Sequence, residues 1–184
     1  MLSVIIPVYN EINTIEKVID DINKKVNFIS KEIIIVDDHS TDGTKSIIQN
    51  NLHKKVDKVI YHEKNKGKGA AIISAKKEIK GDIVIIQDAD LEYDPIDYSE
   101  IISPIMQNKK KVVYGSRVLN KTRYNQNNFI SNFRIFCNHI LTLFTNLLYS
   151  QKLTDAHTCY KAFDTNIFLK INLKENDFAF CPEI

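Results

Sequence analysis

Tryptophan is absent from the 184 residues, and arginine (three), cysteine (three), proline (four) and glycine (five) are all scarce. The cysteines, Cys137, Cys159 and Cys181, are odd in number and show no CxxC spacing. That argues against a disulfide framework and a structural zinc site, and it fits a reducing, cytosolic setting. No GxxxxGK[ST] occurs, which excludes a P-loop, and the first apolar run leads into PVYNE where a dinucleotide-binding dehydrogenase would carry GxGxxG. The N-terminus MLSVIIPVYN has no basic region before its short apolar run, so it does not read as a secretory signal. No apolar stretch reaches the roughly 18 residues of a membrane span. A formal net charge of +2 gives no footprint for nucleic acid. Hydrophobic residues at 43% and charged residues at 26% mark ordinary folded material, and the length suits one domain.

What is present is alternation. LSVIIPV (2–8), EIIIVDD (32–38), KVIYH (58–62), DIVIIQDAD (82–90) and KVVYGSR (111–117) read as strands. Helical spacing fills the gaps: Ile15, Val18, Ile19, Ile22 and Val26 in the first, residues 41–52 in the second, and an alanine-rich stretch at 69–79 in the third. Asn13 and Glu16 resemble a capping box, and Asp94-Pro95 reads as an N-cap followed by proline at the first helical position. Pro104 lies inside the helical pattern after it and should kink or end that helix. Strands apolar on both faces and alternating with helices predict an α/β fold, a mostly parallel central sheet covered by helices on both faces. A polar loop (118–128), a long helix (129–149), a short strand (158–163) and a small helix (165–171) complete the chain.

In such sheets a ligand sits beyond the carboxyl ends of the strands. Polar residues gather there repeatedly: Tyr9-Asn10-Glu11, Asp37-Asp38, Asp88 to Glu92, and Ser116-Arg117. Asp88-Ala89-Asp90 places two carboxylates two residues apart on a turn leaving a buried strand. Such a pair repels itself and suits a hard divalent cation, with Glu92 as a third ligand. A turn with solvated acids is the plainer alternative. Asp94 reads as a cap, and Asp42-Gly43 as turn chemistry. Gly67 and Gly69 of NKGKGAA would let backbone approach a ligand in front of a helix N-terminus suited to phosphate. His39, His139 and His157 form no ligand pattern, and Cys159 reads as a packed thiol.

PVYNE (7–11), IIIVDDHSTDGT (33–44), NKGKGAA (65–71), QDADLEYDP (87–95), GSR (115–117) and TDAHTCYKAF (154–163) occur in that order. Together they resemble family 2 glycosyltransferases of the GT-A fold, and within them the polyprenyl-phosphate subgroup typified by dolichyl-phosphate mannose and glucose synthases. The resemblance implies one catalytic domain over 1–184. Residues 1–117 would bind the nucleotide sugar and 118–184 the acceptor, without the C-terminal segment that relatives carry beyond FAFCPEI. It implies that Pro7, Tyr9 and Glu11 line the nucleotide pocket with Gly67, Gly69 and Ala89, and that Asp38 reads the base. Asp88, Asp90 and Glu92 would bind Mg²⁺ or Mn²⁺, although relatives commonly carry glutamine where this chain has Glu92. Arg117 would hold an acceptor phosphate, Arg134 is similar to a second phosphate-binding arginine, and Asp155 aligns with the catalytic base of relatives that use sugar hydroxyls. Asp90, Arg117 and Asp155 are thus the catalytic candidates.

The implied partners are a UDP- or GDP-hexose donor and a lipid-phosphate acceptor, with no nucleic acid, and a separate membrane-anchoring partner as a further expectation. The implied location is cytoplasmic, peripheral at the cytoplasmic membrane face. The lack of tryptophan excludes the QxxRW signature of processive relatives. Transfer to a sugar hydroxyl and an inactive nucleotide-binding module remain as alternatives. The long helix is read as packing its wide apolar face on the core, with a membrane-interface position as the alternative.

Overall fold

A computed structural model describes residues 1–119, 129–177 and 179–183. Among the described residues, six strands form one sheet in the order β3-β2-β1-β4-β6-β5. They are β1 (Leu2–Val8), β2 (Lys31–Asp37), β3 (Lys58–Tyr61), β4 (Ile83–Ile86), β5 (Val112–Tyr114) and β6 (Lys161–Asp164). β1 pairs in parallel with both β2 and β4, and β2 pairs in parallel with β3. β6 runs antiparallel to both β4 and β5. The expected mostly parallel sheet is therefore present, with one reversed strand near its edge.

Every residue of β1 and β4 is buried, as are six of seven in β2. Successive side chains of a strand point to opposite faces, so both faces of the sheet centre are covered. The sequence reason is the isoleucine and valine content of these runs: β-branched side chains suit a pleated surface. Each such side chain taken out of water contributes roughly 1.5–3 kcal/mol. Truncating a fully buried one such as Ile35 to alanine would cost about 2–5 kcal/mol.

The helices are α1 (Ile15–Lys25), α2 (Thr44–Ile47), α3 (Lys68–Ala75), α4 (Tyr98–Met106), α5 (Phe129–Tyr149), α6 (Thr165–Lys170) and α7 (Phe180–Glu183). α1 follows the predicted stripe, burying Ile15, Val18, Ile19 and Ile22. Its capping box does not form. Thr14 is the cap residue, and its hydroxyl donates to Glu11 Oε2 at 2.6 Å. α2 continues as a wider turn over Ile48–Leu52, which buries Ile48 and Leu52. Asp94 caps a short 3₁₀ turn, Pro95–Asp97, by accepting from the Ile96 N–H, and α4 follows directly. Pro104 sits in the last turn of α4, which ends two residues later.

Three expectations need correction. The 158–163 strand is shorter, Lys161–Asp164, because Thr158 turns back to accept from the Tyr160 N–H. The fifth strand spans only Val112–Tyr114. The third is the long helix. It forms as predicted, but its apolar side chains do not enter the core: Leu143, Phe144, Leu147 and Leu148 are 56–76% exposed. Its apolar residues do share one broad face, but that face is turned outward, and the opposite face, with buried Thr142 and half-buried Asn146, meets the rest of the chain. Hydrogen bonds tie it to the following segment: Thr142 Oγ1 accepts from the Ala156 N–H, and Asn146 donates to the Leu153 carbonyl and accepts from the Leu153 N–H. No helix among the described residues is long and apolar enough to cross a membrane.

Candidate active site

The strand order reverses at β1: β2 and β3 lie to one side, β4, β6 and β5 to the other. A crevice opens beyond the carboxyl ends of β1 and β4 at such a switch point. A cleft of about 430 Å³ lies there, within the range of small-molecule sites. Pro7, Tyr9 and Glu11 line it from β1, Asp38 from β2, and Asp88, Ala89 and Asp90 from β4. Gly67 lines it too, while Gly69 does not.

The acidic turn is built from beneath by Gln87, which is fully buried. Its amide donates to the carbonyls of Asp88 and Tyr93, and its carbonyl accepts from the Tyr98 hydroxyl. Leu91 takes a left-handed conformation (φ 65°), and Asp90 Oδ1 accepts from the Glu92 N–H at 2.9 Å. This closes a tight turn that gathers Asp88, Asp90 and Glu92, each offering one carboxylate oxygen with all three within 4.8 Å of one another. Three hard oxygen donors at that spacing fit Mg²⁺ or Mn²⁺.

Asp88 is nearly buried and pairs with Lys68 Nζ at 2.5 Å. Burial alone would lower the Lys68 ammonium; the Asp88 carboxylate outweighs it and holds the group above its ordinary range. Lys68 sits between the two glycines of NKGKGAA and lines the cleft with Asn65 and Asp177. None of these three was singled out by motif reading. A cation one residue before Gly69 was the available signal for Lys68; nothing local marked Asp177.

The glycines also make room for the chain itself. Gly67 has φ +94°, and a Cβ there would collide with the Asn176 carbonyl oxygen; one on Gly69 would collide with the Glu175 carbonyl oxygen. The Gly69 and Ala70 N–H groups donate to the Asp177 and Asn176 carbonyls. The two glycines therefore admit the chain's own 175–177 segment to the start of α3, whose Gly69 and Ala70 N–H groups are taken by protein carbonyls.

Asp38 lines the cleft, yet its carboxylate is engaged inside the protein. Oδ1 contacts His62 Nδ1 at 2.6 Å and accepts from the Lys66 N–H, while Oδ2 accepts from the Gly67 N–H at 2.7 Å. His62 is buried and contacts Ser74 through its other nitrogen at 2.9 Å. This network shapes the 65–67 loop, and sequence reading missed His62 because it lies 24 residues from its partner.

Beside the acidic turn, Arg117 grips Asp155 in two places: Nε donates to Oδ2 at 2.7 Å and NH2 to Oδ1 at 3.1 Å. Its NH1 faces Glu92 Oε1 at 3.5 Å. Asp155 is 5% exposed. Burial would lower the Arg117 guanidinium, but the Asp155 hydrogen bond and charge hold it above its ordinary range. Tyr93 stacks on Tyr160 with ring centroids 4.7 Å apart, and the Tyr160 hydroxyl donates to the Asp94 carbonyl, latching the 88–95 turn to the 155–160 segment. The reversed direction of β6 is what delivers Asp155 to this end of the sheet. The side chain of Arg134 lies outside the described residues. Cys159 and Cys181 are buried free thiols whose sulfurs approach to 2.7 Å.

A mostly parallel sheet with an acidic turn and a cleft at its switch point is the architecture of GT-A glycosyltransferases. The family model described as Glycosyl transferase family 2 matches residues 3–171, and the chain belongs to that family. Over 116 residues it is 37% identical to the dolichol-phosphate mannosyltransferase of Pyrococcus furiosus, a match covering 63% of this chain and 33% of that protein. It is 31% identical to the UDP-N-acetylglucosamine–dolichyl-phosphate N-acetylglucosaminyltransferase of Methanococcus voltae, covering 100% of this chain and 78% of that one. In fold it is similar to the glucosyl-3-phosphoglycerate synthase of Mycobacterium tuberculosis, solved with Mn²⁺, UDP and glucosyl-3-phosphoglycerate. The TM-score is 0.75 at 21% identity, over 99% of this chain and 62% of that one. The chain thus spans about a third of the Pyrococcus enzyme's length and under two thirds of the Mycobacterium enzyme's.

Proposed function

We propose that this chain carries out inverting, metal-dependent transfer of a hexose from a nucleoside diphosphate sugar to a polyprenyl phosphate. The observation that carries this reading is the continuity of two charged sites: Glu92 belongs to the carboxylate trio and also faces the Arg117–Asp155 pair. The donor would lie in the 430 Å³ cleft with its diphosphate at the acidic turn. Asp88, Asp90 and Glu92 would hold Mg²⁺ or Mn²⁺, which neutralises charge building on a departing diphosphate. Pro7, Tyr9 and Glu11 would wall the nucleoside, and Asp38 would act there largely through the 65–67 loop that it shapes.

Arg117 would orient the acceptor. A guanidinium recognises phosphate in a planar, bidentate manner. A phosphate is already anionic at neutral pH and requires positioning more than deprotonation. Asp155 fits that economy: both its oxygens bind Arg117, so it holds the arginine and is not poised to take a proton from a hydroxyl. That favours the phosphate acceptor over a sugar hydroxyl. The exposed apolar side chains of α5 support a peripheral position at the cytoplasmic membrane face, where a lipid acceptor enters. A separate anchoring partner belongs to the same reading.

The test is transfer of radiolabelled hexose to a short-chain polyprenyl phosphate, with chelator and metal add-back, preceded by a thermal-shift panel of UDP- and GDP-sugars with and without Mn²⁺. Asp90→Asn is expected to abolish transfer at least a hundredfold while the protein stays folded. Unaltered transfer in Asp90→Asn, or no metal-dependent shift with any nucleotide, would sink the metal assignment. Binding without turnover on any lipid acceptor would favour the inactive nucleotide-binding module.

A further inference from the structure

The cation on Asp88 is the chain's own. Lys68 Nζ lies 2.5 Å from Asp88 Oδ1, and the two side chains are only 12% and 10% exposed. Asp88 is the one buried member of the carboxylate trio; Asp90 and Glu92 are exposed. Two cations sharing a buried carboxylate repel each other unless an anion joins them, and a dry setting magnifies that repulsion. The cleft that Lys68 lines is where the metal reading places a diphosphate.

We propose that Lys68 is an internal counter-cation that keeps the divalent metal off Asp88 until a nucleoside diphosphate arrives, so that metal and donor bind as a cooperative pair. This rests on the metal reading above. When both ligands arrive, the diphosphate supplies the negative charge that lets metal and ammonium coexist. With metal alone, Lys68 must be driven from Asp88 or endure a second positive charge beside it. By linkage the coupling is reciprocal: nucleotide must raise metal affinity by the same factor as metal raises nucleotide affinity. Lys68 is on this account a positioning residue for the metal, acting through Asp88.

The experiment is a titration of the purified full chain with Mn²⁺, reading free Mn²⁺ by electron paramagnetic resonance, with and without UDP or GDP. Wild type is expected to bind Mn²⁺ weakly alone and at least tenfold more tightly with the matching nucleotide. Lys68→Met should bind Mn²⁺ alone at least tenfold more tightly than wild type, and the nucleotide should then add less than threefold. Lys68→Gln, with a polar head, serves if the methionine variant unfolds, and Lys68→Arg should keep wild-type coupling. A lysine that only supported the fold would, on removal, weaken Mn²⁺ binding. Unchanged or weaker Mn²⁺ binding in the methionine or glutamine variant overturns this inference and leaves the metal reading standing. No Mn²⁺ binding by wild type under either condition overturns both.

Discussion

Asp155→Asn should separate a positioning acid from a catalytic base, and the structure sets the size of the effect. The Asp155 carboxylate is nearly buried and holds Arg117 through contacts of 2.7 and 3.1 Å. Removing one partner of a buried pair costs about 3–5 kcal/mol. Asparagine keeps the shape and one acceptor oxygen, so a smaller loss, about 2–3 kcal/mol, is expected. A domain of this size moves by about 2–4 °C per kcal/mol, which gives a fall in Tm of roughly 4–12 °C. Arg117→Met should cost a similar amount, and the double variant scarcely more than either single, a coupling of about 2 kcal/mol. The same cycle is then read in a transfer assay. If Asp155 works by holding Arg117, Asp155→Asn lowers kcat/KM in wild type but changes it less than about threefold in the Arg117→Met background. If Asp155 were the base for a hydroxyl acceptor, its replacement would cost a further hundredfold or more in that background too. Additive stabilities, or a second large fall in transfer, would refute the positioning argument.

Other outcomes follow from the same geometry. Lys161 is fully buried, and burial lowers its pKa to about 8. Between that value and the ordinary 10.5 the unfolded chain binds the extra proton, so this group's contribution to stability rises with pH across that window, by up to about 3 kcal/mol. Urea unfolding from pH 7.5 to 9.5 should show a steeper rise in wild type than in Lys161→Met; parallel profiles would count against the shift. Gly69→Ala should expel the 175–177 segment from the start of α3, lowering Tm and opening a protease site near residue 176, because the new Cβ meets a backbone carbonyl. An unchanged digestion pattern would contradict that packing. Asp94→Ala removes the cap on Ile96 and an exposed partner of Lys25; about 1 kcal/mol, nearly all from the cap, should be lost in denaturant titration.

Much of the fold was legible because strands buried on both faces write themselves as uninterrupted Val and Ile runs, with β1, β2 and β4 the plain cases. The acidic turn was legible for a related reason: charges stacked at the end of a buried strand have few explanations. Asp94 announced its cap through the proline that follows it. The outlying helix α5 was not legible, since an apolar residue reads the same whether it faces a core or open surface.

The sequence by itself determined the mostly parallel sheet, the place of the candidate site at its carboxyl end, and the residue types gathered there, because these follow from local periodicity and local charge. Only the tertiary structure decided which charges meet. Lys68 reaches Asp88 across 20 residues, His62 reaches Asp38 across 24, and Arg117 reaches Asp155 across 38. It also decided that Gly67 and Gly69 receive the chain's own 175–177 segment. Pairings of that kind depend on strand order and on the reversed direction of β6, which no local pattern encodes.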